Sequence, residues 1–204
     1  DKEGYDQVID QVVEAAQKLA ARGAQAVSLM GTSLSFYRGS DFNEDLVARL
    51  RESTGLPCST MSHAILRGLR ASGIERVAVA SSYIDDVNQR LVHFLGQNQI
   101  QAVCAYGLGV NDVTAMSKIS TQELVDLCLK TWDIAQEQAP GQAQGLLLSC
   151  GGLVSLEAVR QVEDKLGVTV VSSSPAGFWD LVATAGLDLF PQGMGRLAQE
   201  RQTA

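Results

Sequence analysis

Apolar residues recur at Val8, Ile9, Val12, Val13, Ala16, Leu19 and Ala20, three and four apart, and Gly23 follows as a cap; the spacing predicts an opening helix. Ala26–Met30 then runs apolar into Gly31-Thr32-Ser33, as a buried parallel strand does when it ends in a small polar loop. The alternation repeats. Helical spacing covers 41–53, 61–72, 85–97, 121–138, 155–166 and 176–185, and strand-like runs fall at Val77–Ala80, Ala102–Cys104, Leu146–Leu148 and Val168–Val171. Ser120 with Glu123 makes a capping box ahead of the 121–138 helix. Strands alternating with helices of this length predict an α/β fold with mainly parallel sheets covered on both faces.

The order of elements also echoes. Gln25–Gly73 reads strand, small-residue loop, helix, the segment Gly55–Thr60, helix and glycine, and Gln144–Gly186 repeats that order. Matching the halves sets Gly31-Thr32-Ser33 against Cys150-Gly151-Gly152, so Gly31 occupies the slot mirrored by Cys150. The expected architecture is one unit of two pseudo-symmetric, flavodoxin-like lobes with an interlobe cleft: lobe A about 1–80 and 187–204, lobe B about 81–186. The first half opens on a helix where a doubly wound half opens on a strand. An N-terminal strand, with part of the cleft wall, is therefore expected to be absent from this sequence.

Composition narrows the function. With 204 residues, 46% hydrophobic and 19% charged, the chain is too apolar for disorder and too evenly patterned for a spanning helix. A formal charge of -7 offers no positive field, so neither nucleic acid nor an anionic membrane is expected as a partner. Cys58, Cys104, Cys128 and Cys150 show no C-x-x-C spacing, and His63 and His93 add no zinc pattern. They read as free thiols of a cytoplasmic protein. Asp1–Ile9 is polar and lacks the form of a signal peptide. No apolar stripe demands a partner, and a monomer is expected.

Four strand ends are rich in small polar residues: Gly31–Ser33, Ser81–Tyr83, Cys150–Gly152 and Ser172–Gly177. Taken singly, such residues are caps and turns. Taken together at the carboxyl ends of parallel strands, they are donors for a ligand. Cys150 stands out, because it follows an apolar strand, precedes two glycines and lies near a helix start, where a thiol becomes a competent acid. Cys58, in a strand-like turn, and Cys128, on an apolar helix face, read as inert. The four loops hold no Lys or Arg, though Arg38 follows the first, and no phosphate loop, dinucleotide fingerprint or Ser-His-Asp set is present. Hydroxyls, backbone amides and one thiol suit a neutral oxyanion hole for an enolate that the thiol protonates.

The stretches Gly31-Thr32-Ser33-Leu34-Ser35-Phe36-Tyr37-Arg38-Gly39, Tyr83-Ile84-Asp85-Asp86-Val87-Asn88, Leu148-Ser149-Cys150-Gly151-Gly152 and Ser172–Asp180 together resemble the arylmalonate decarboxylases of the aspartate/glutamate racemase superfamily. The resemblance runs from Gly4 to about Leu197. It implies a cofactor-free decarboxylation of α-aryl-α-alkylmalonates, with no metal. One carboxylate is held by Thr32, Ser33, Tyr83 and the amides of Cys150 and Gly151. The other sits in an apolar pocket lined by Tyr5, Val113 and Met116. Cys150 then protonates one face of the enediolate, giving a 2-arylalkanoate of the R hand. Racemising relatives carry a cysteine in each half, whereas this chain has Gly31 in the first slot, which favours a decarboxylase. A racemase or cis-trans isomerase needs a second acid, for which Cys104 is the candidate. A non-catalytic carboxylate-binding module would use the same loops as an anion nest. The segment Gln138–Gln142 is longer than the family pattern and reads as a surface loop.

Overall fold

The structure, a computed structural model, describes residues 2–110, 112–188 and 193–199, and the side chains of 2–7 and of Val113 lie outside that description. The opening helix α1 (Lys2–Ala21) is followed by β1 (Val27–Leu29), α2 (Thr32–Phe36), α3 (Ser40–Thr54), β2 (Cys58–Thr60) and α4 (Met61–Ala71). β3 (Arg76–Ser81), α5 (Asp85–Gln97), β4 (Gln101–Gly107), α6 (Val113–Met116), α7 (Thr121–Gln138), β5 (Gly145–Ser149), α8 (Leu156–Leu166), β6 (Thr169–Ser172) and α9 (Ser173–Thr184) complete the main body. A short 3-10 turn, Arg196–Gln199, follows.

Every strand pairs in parallel. β1 pairs with β2, and a four-stranded sheet runs β4-β3-β5-β6. The echo is geometric as well as sequential: Val27, Ser28 and Leu29 face Cys58, Ser59 and Thr60, as Leu146, Leu147 and Leu148 face Val170, Val171 and Ser172. α4 and α9 leave the second strand of each pair, Thr60 Oγ1 capping α4 by accepting from the His63 amide and Ser172 standing at the start of α9, and they pack against one another.

Two cores follow from the apolar pattern. Ile9 and Ala16 on α1 meet Leu46, Val47 and Leu50 of α3, beside Val27 and Cys58. The larger core wraps Val77–Ala80 and Leu146–Leu148, all completely buried, as strands sheltered on both faces require. The division expected near residue 80 falls at the end of β3, which is bonded to both β4 and β5. The Arg196–Gln199 turn lies between the halves: beside β6 the Arg196 amide donates to Glu163 Oε2 at 2.8 Å, and buried Leu197 also reaches Gly68 of α4 in the first half. Pro191, also in that tail, lies outside the described residues.

Three expectations are corrected. Thr32 and Ser33 begin the short helix α2 rather than a loop, because the Ser35 amide closes the first turn on Gly31 O (3.1 Å) and the Ser35 hydroxyl donates to the same oxygen (3.0 Å). Ser173–Gly177 likewise already belongs to α9; Pro175 falls in its first turn, where a missing N–H is harmless. Cys58 lies in strand β2, not in a turn. Gln138–Gln142 ends α7 in an exposed turn, with Gly141 at φ 69°.

Candidate active site

β3 and β5 are neighbours, with Ser81 beside Ser149, yet the chain leaves β3 for β4 on one side and β5 for β6 on the other. A crevice opens beyond the carboxyl ends of strands at such a switch point. The residues that fall there are Ser82 and Tyr83 after β3, and Cys150 and Gly151 after β5. The first half delivers its own loop to the same place: a Cβ placed on Gly151 would stand 3.0 Å from Met30 O and 3.2 Å from Met61 Sδ. The two mirrored loops therefore meet, and only glycine at 151 allows the approach.

Cys150 adopts φ 149°, a region that L side chains rarely enter, and is 6% exposed. Its amide donates to Ser173 Oγ (3.1 Å), and Ser174 Oγ donates to Gly151 O (3.1 Å), so the start of α9 grips the strained loop. The helix start expected near Cys150 is that of α9, which meets its backbone amide, whereas α8 begins only at Leu156. Sγ accepts from the Gly152 amide and lies 3.4 Å from Met116 Sδ. Met116 thus covers the thiol with an apolar side chain. The side chains of Tyr5 and Val113 fall outside the described set.

Tyr83 is buried beside this loop. Burial pushes its phenol well above the ordinary range, the neighbouring Cys150 adds to the rise, and the Ser149 and Thr32 hydroxyls partly offset it. Tyr83 therefore stays a neutral O–H donor. Its backbone is fixed from behind, since the Tyr83 amide donates to Ser81 Oγ (3.1 Å) and Ser81 Oγ donates to Asn88 Oδ1 (2.6 Å). The hydroxyls of Ser82, Tyr83 and Ser149 are buried, and none makes a well-aligned hydrogen bond, although Ser149 and Thr32 stand near the Tyr83 phenol. Thr32 is buried with its hydroxyl aimed at Met61 Sδ, a weak acceptor, and Ser33 is half-buried next to it. A cluster of underused donors at a crevice is suited to an anion.

The other thiols do not join. Cys104 Sγ donates to Thr131 O of α7 (3.4 Å), and burial raises its pKa. Cys128, inside α7, is pushed up to about 12 by burial. His63, which the sequence placed on a helix, pairs its Nε2 with Glu44 Oε1 at 2.6 Å. No cluster of three His, Cys, Asp or Glu side chains that could hold a metal occurs among the described residues. Ser173 and Ser174, expected as ligand donors, instead hold the Cys150 loop, and missed from sequence was Met61, which meets the Thr32 hydroxyl from a distant element.

Residues 1–198 match the family profile described as arylmalonate decarboxylase. The chain belongs to the arylmalonate decarboxylase family. It is 53% identical to arylmalonate decarboxylase of Bordetella bronchiseptica over 97% of this chain and 81% of that protein. A liganded double variant of an arylmalonate decarboxylase superposes with TM-score 0.89 at 53% identity, covering 97% of this chain and 82% of that one. Maleate isomerase of Pseudomonas putida S16 superposes with TM-score 0.85 at 20% identity, over 97% of this chain and 79% of the other, a likeness of fold. Membership at this identity makes the chain a carboxy-lyase of the arylmalonate type, within a superfamily that also contains maleate isomerases.

Proposed function

We propose that the chain decarboxylates α-aryl-α-alkylmalonates without a cofactor and that Cys150 supplies the proton. The observation that carries this reading is the strained Cys150 loop set among buried, underused hydroxyls at the switch point. One carboxylate is taken by Thr32, Ser33, Tyr83 and the amides of Cys150 and Gly151. Thr32 gives up only a thioether for it, and the Cys150 amide exchanges Ser173 Oγ for substrate oxygen. The other carboxylate faces the apolar side, against Met116 and, by family resemblance, Tyr5 and Val113. Its bond to Cα breaks, carbon dioxide leaves, and the electron pair enters an enediolate spread over the retained carboxylate. Neutral donors aimed at that developing charge lower the barrier, each worth about 3 to 4 kcal/mol. The S–H bond of Cys150 then delivers its proton to Cα from one side, and water reprotonates the thiolate.

An isomerase or racemase working from two faces needs a second acid. Cys104 is bonded to α7, and the slot mirrored by Cys150 holds Gly31, so the decarboxylase reading is favoured. All four cysteines are free, which fits a reducing cytoplasm. Phenylmalonate should release carbon dioxide in the presence of a chelator and with no added cofactor. Cys150→Ala should lose nearly all turnover; full turnover in that variant would remove the assigned proton donor.

A further inference from the structure

α4 and α9 occupy corresponding places in the two halves, and the strand registers fix the correspondence: Leu29 faces Thr60 as Leu148 faces Ser172. Continued one residue back and along each helix, that match equates Ser59 with Val171 and Gly68 with Asp180. These positions meet across the helix pair. The Asp180 carboxylate accepts from Ser59 Oγ, and a Cβ placed on Gly68 would lie 3.2 Å from Val171 Cγ1. One crossing is therefore polar and its mirror image apolar. On the polar side Asp180, 1% exposed, also accepts from Arg67 Nη1 at 2.7 Å.

Asp180 shares a stripe of α9 with Ser173 and Gly177, spaced seven and three residues before it. Ser173 receives the Cys150 amide, Ser174 holds Gly151 O, and Gly177 lies against Met30 of the first half. The stripe thus joins the acid's loop at one end to the first half at the other. A buried carboxylate is a poor source of net stability, but it is intolerant of losing its partner, so it fixes register.

We propose that Ser59, Asp180 and Arg67 form a clasp that positions the acid. It sets the height of α9 against the first half, and α9 passes that setting to Cys150 through Ser174, which keeps Gly151 O while substrate displaces Ser173 from the Cys150 amide, so the thiol stays aimed at one face. The three are positioning residues, and the inference rests on Cys150 being the proton donor. In the full chain, Arg67→Met is expected to lower kcat on α-methyl-α-phenylmalonate by about 10-fold or more, with KM changed less. The enantiomeric excess of the product should fall with it, the Cys150 amide should exchange with solvent faster, and Arg67→Lys should restore most of each. Ser59→Ala, which leaves the ion pair in place, should show the same pattern more weakly and serves if Arg67→Met does not fold. A folded Arg67→Met with unchanged kcat, enantiomeric excess and amide exchange overturns the clasp. If Cys150→Ala keeps turnover, the donor assignment fails instead, and amide exchange still reports whether the clasp grips the loop.

Discussion

Cys150 sits where glycine would be relaxed, and this trade of stability for a placed thiol is measurable. Alanine at φ 149° keeps the strain and loses the sulfur, whereas glycine loses both. Cys150→Gly is therefore expected to be more stable than Cys150→Ala by about 1 kcal/mol in a denaturant titration, strain relief outweighing glycine's greater unfolded freedom, with both inactive. Cys128 shows the opposite kind of thiol. Its folded pKa is raised from 9.0 to about 12 by burial, so its stabilising effect is complete below pH 9. It is lost as pH rises toward 12, because only the unfolded thiol ionises there, at about 1.4 kcal/mol per unit. Thermal melts from pH 8 upward should fall less steeply in Cys128→Ala than in the parent. Both thiols were distinguishable in the sequence, one ending an apolar strand and the other on an apolar helix face. Ser173 and Ser174 stood in a segment the sequence marked as polar, but their task did not show, because a hydroxyl's partner in a loop 23 residues away leaves no local pattern.

At the scale of elements, periodicity worked where there was enough chain to show a period. α3, α4, α5, α7 and α8 begin and end within a residue or so of their predicted limits. α2 spans 5 residues and β2 only 3, too few for either repeat to register, and the echo between the halves was the one sign of β2. Caps were legible because they are chemical. Ser120 Oγ accepts from the Glu123 amide, and the Glu123 carboxylate accepts from the Ser120 amide at 2.8 Å. The Ser120 hydroxyl, donating to Glu123 Oε2 at 2.6 Å, and then the Ser120 amide hold the Glu123 carboxyl below its usual range. Ser120→Ala should lower stability by about 1 kcal/mol and leave kcat unchanged, since Ser120 is exposed and its hydroxyl is engaged with Glu123. A matching fall in kcat would show that α7 and the covering residue Met116 are coupled.

For the whole molecule, duplication explains why one loop carries an acid and its mirror image does not. The halves share strand register, and on the proposed site that register sets the slot of Gly31 opposite Cys150. Gly31 itself has φ -114° and ψ 96°, ordinary for any residue. A Cβ there would meet Leu34 Cβ at 3.3 Å and Leu29 Cδ1 at 3.8 Å, so a small give by Leu34 admits cysteine. Gly31→Cys should therefore fold and place a thiol opposite Cys150. With one acid, the enediolate collects its proton from a single side. With two, a proton removed by one thiol is returned by the other, and the product's stereocentre is erased. In deuterium oxide, 2-phenylpropionate incubated with Gly31→Cys should exchange its α-proton and lose optical purity, while the parent should do so far more slowly. Cys150→Ser in that background should reduce racemisation again. A Gly31→Cys protein that folds and binds 2-phenylpropionate, yet shows no exchange at Cα, would mean that the mirrored slot does not look onto the reacting carbon, and the two-sided geometry would have to be abandoned.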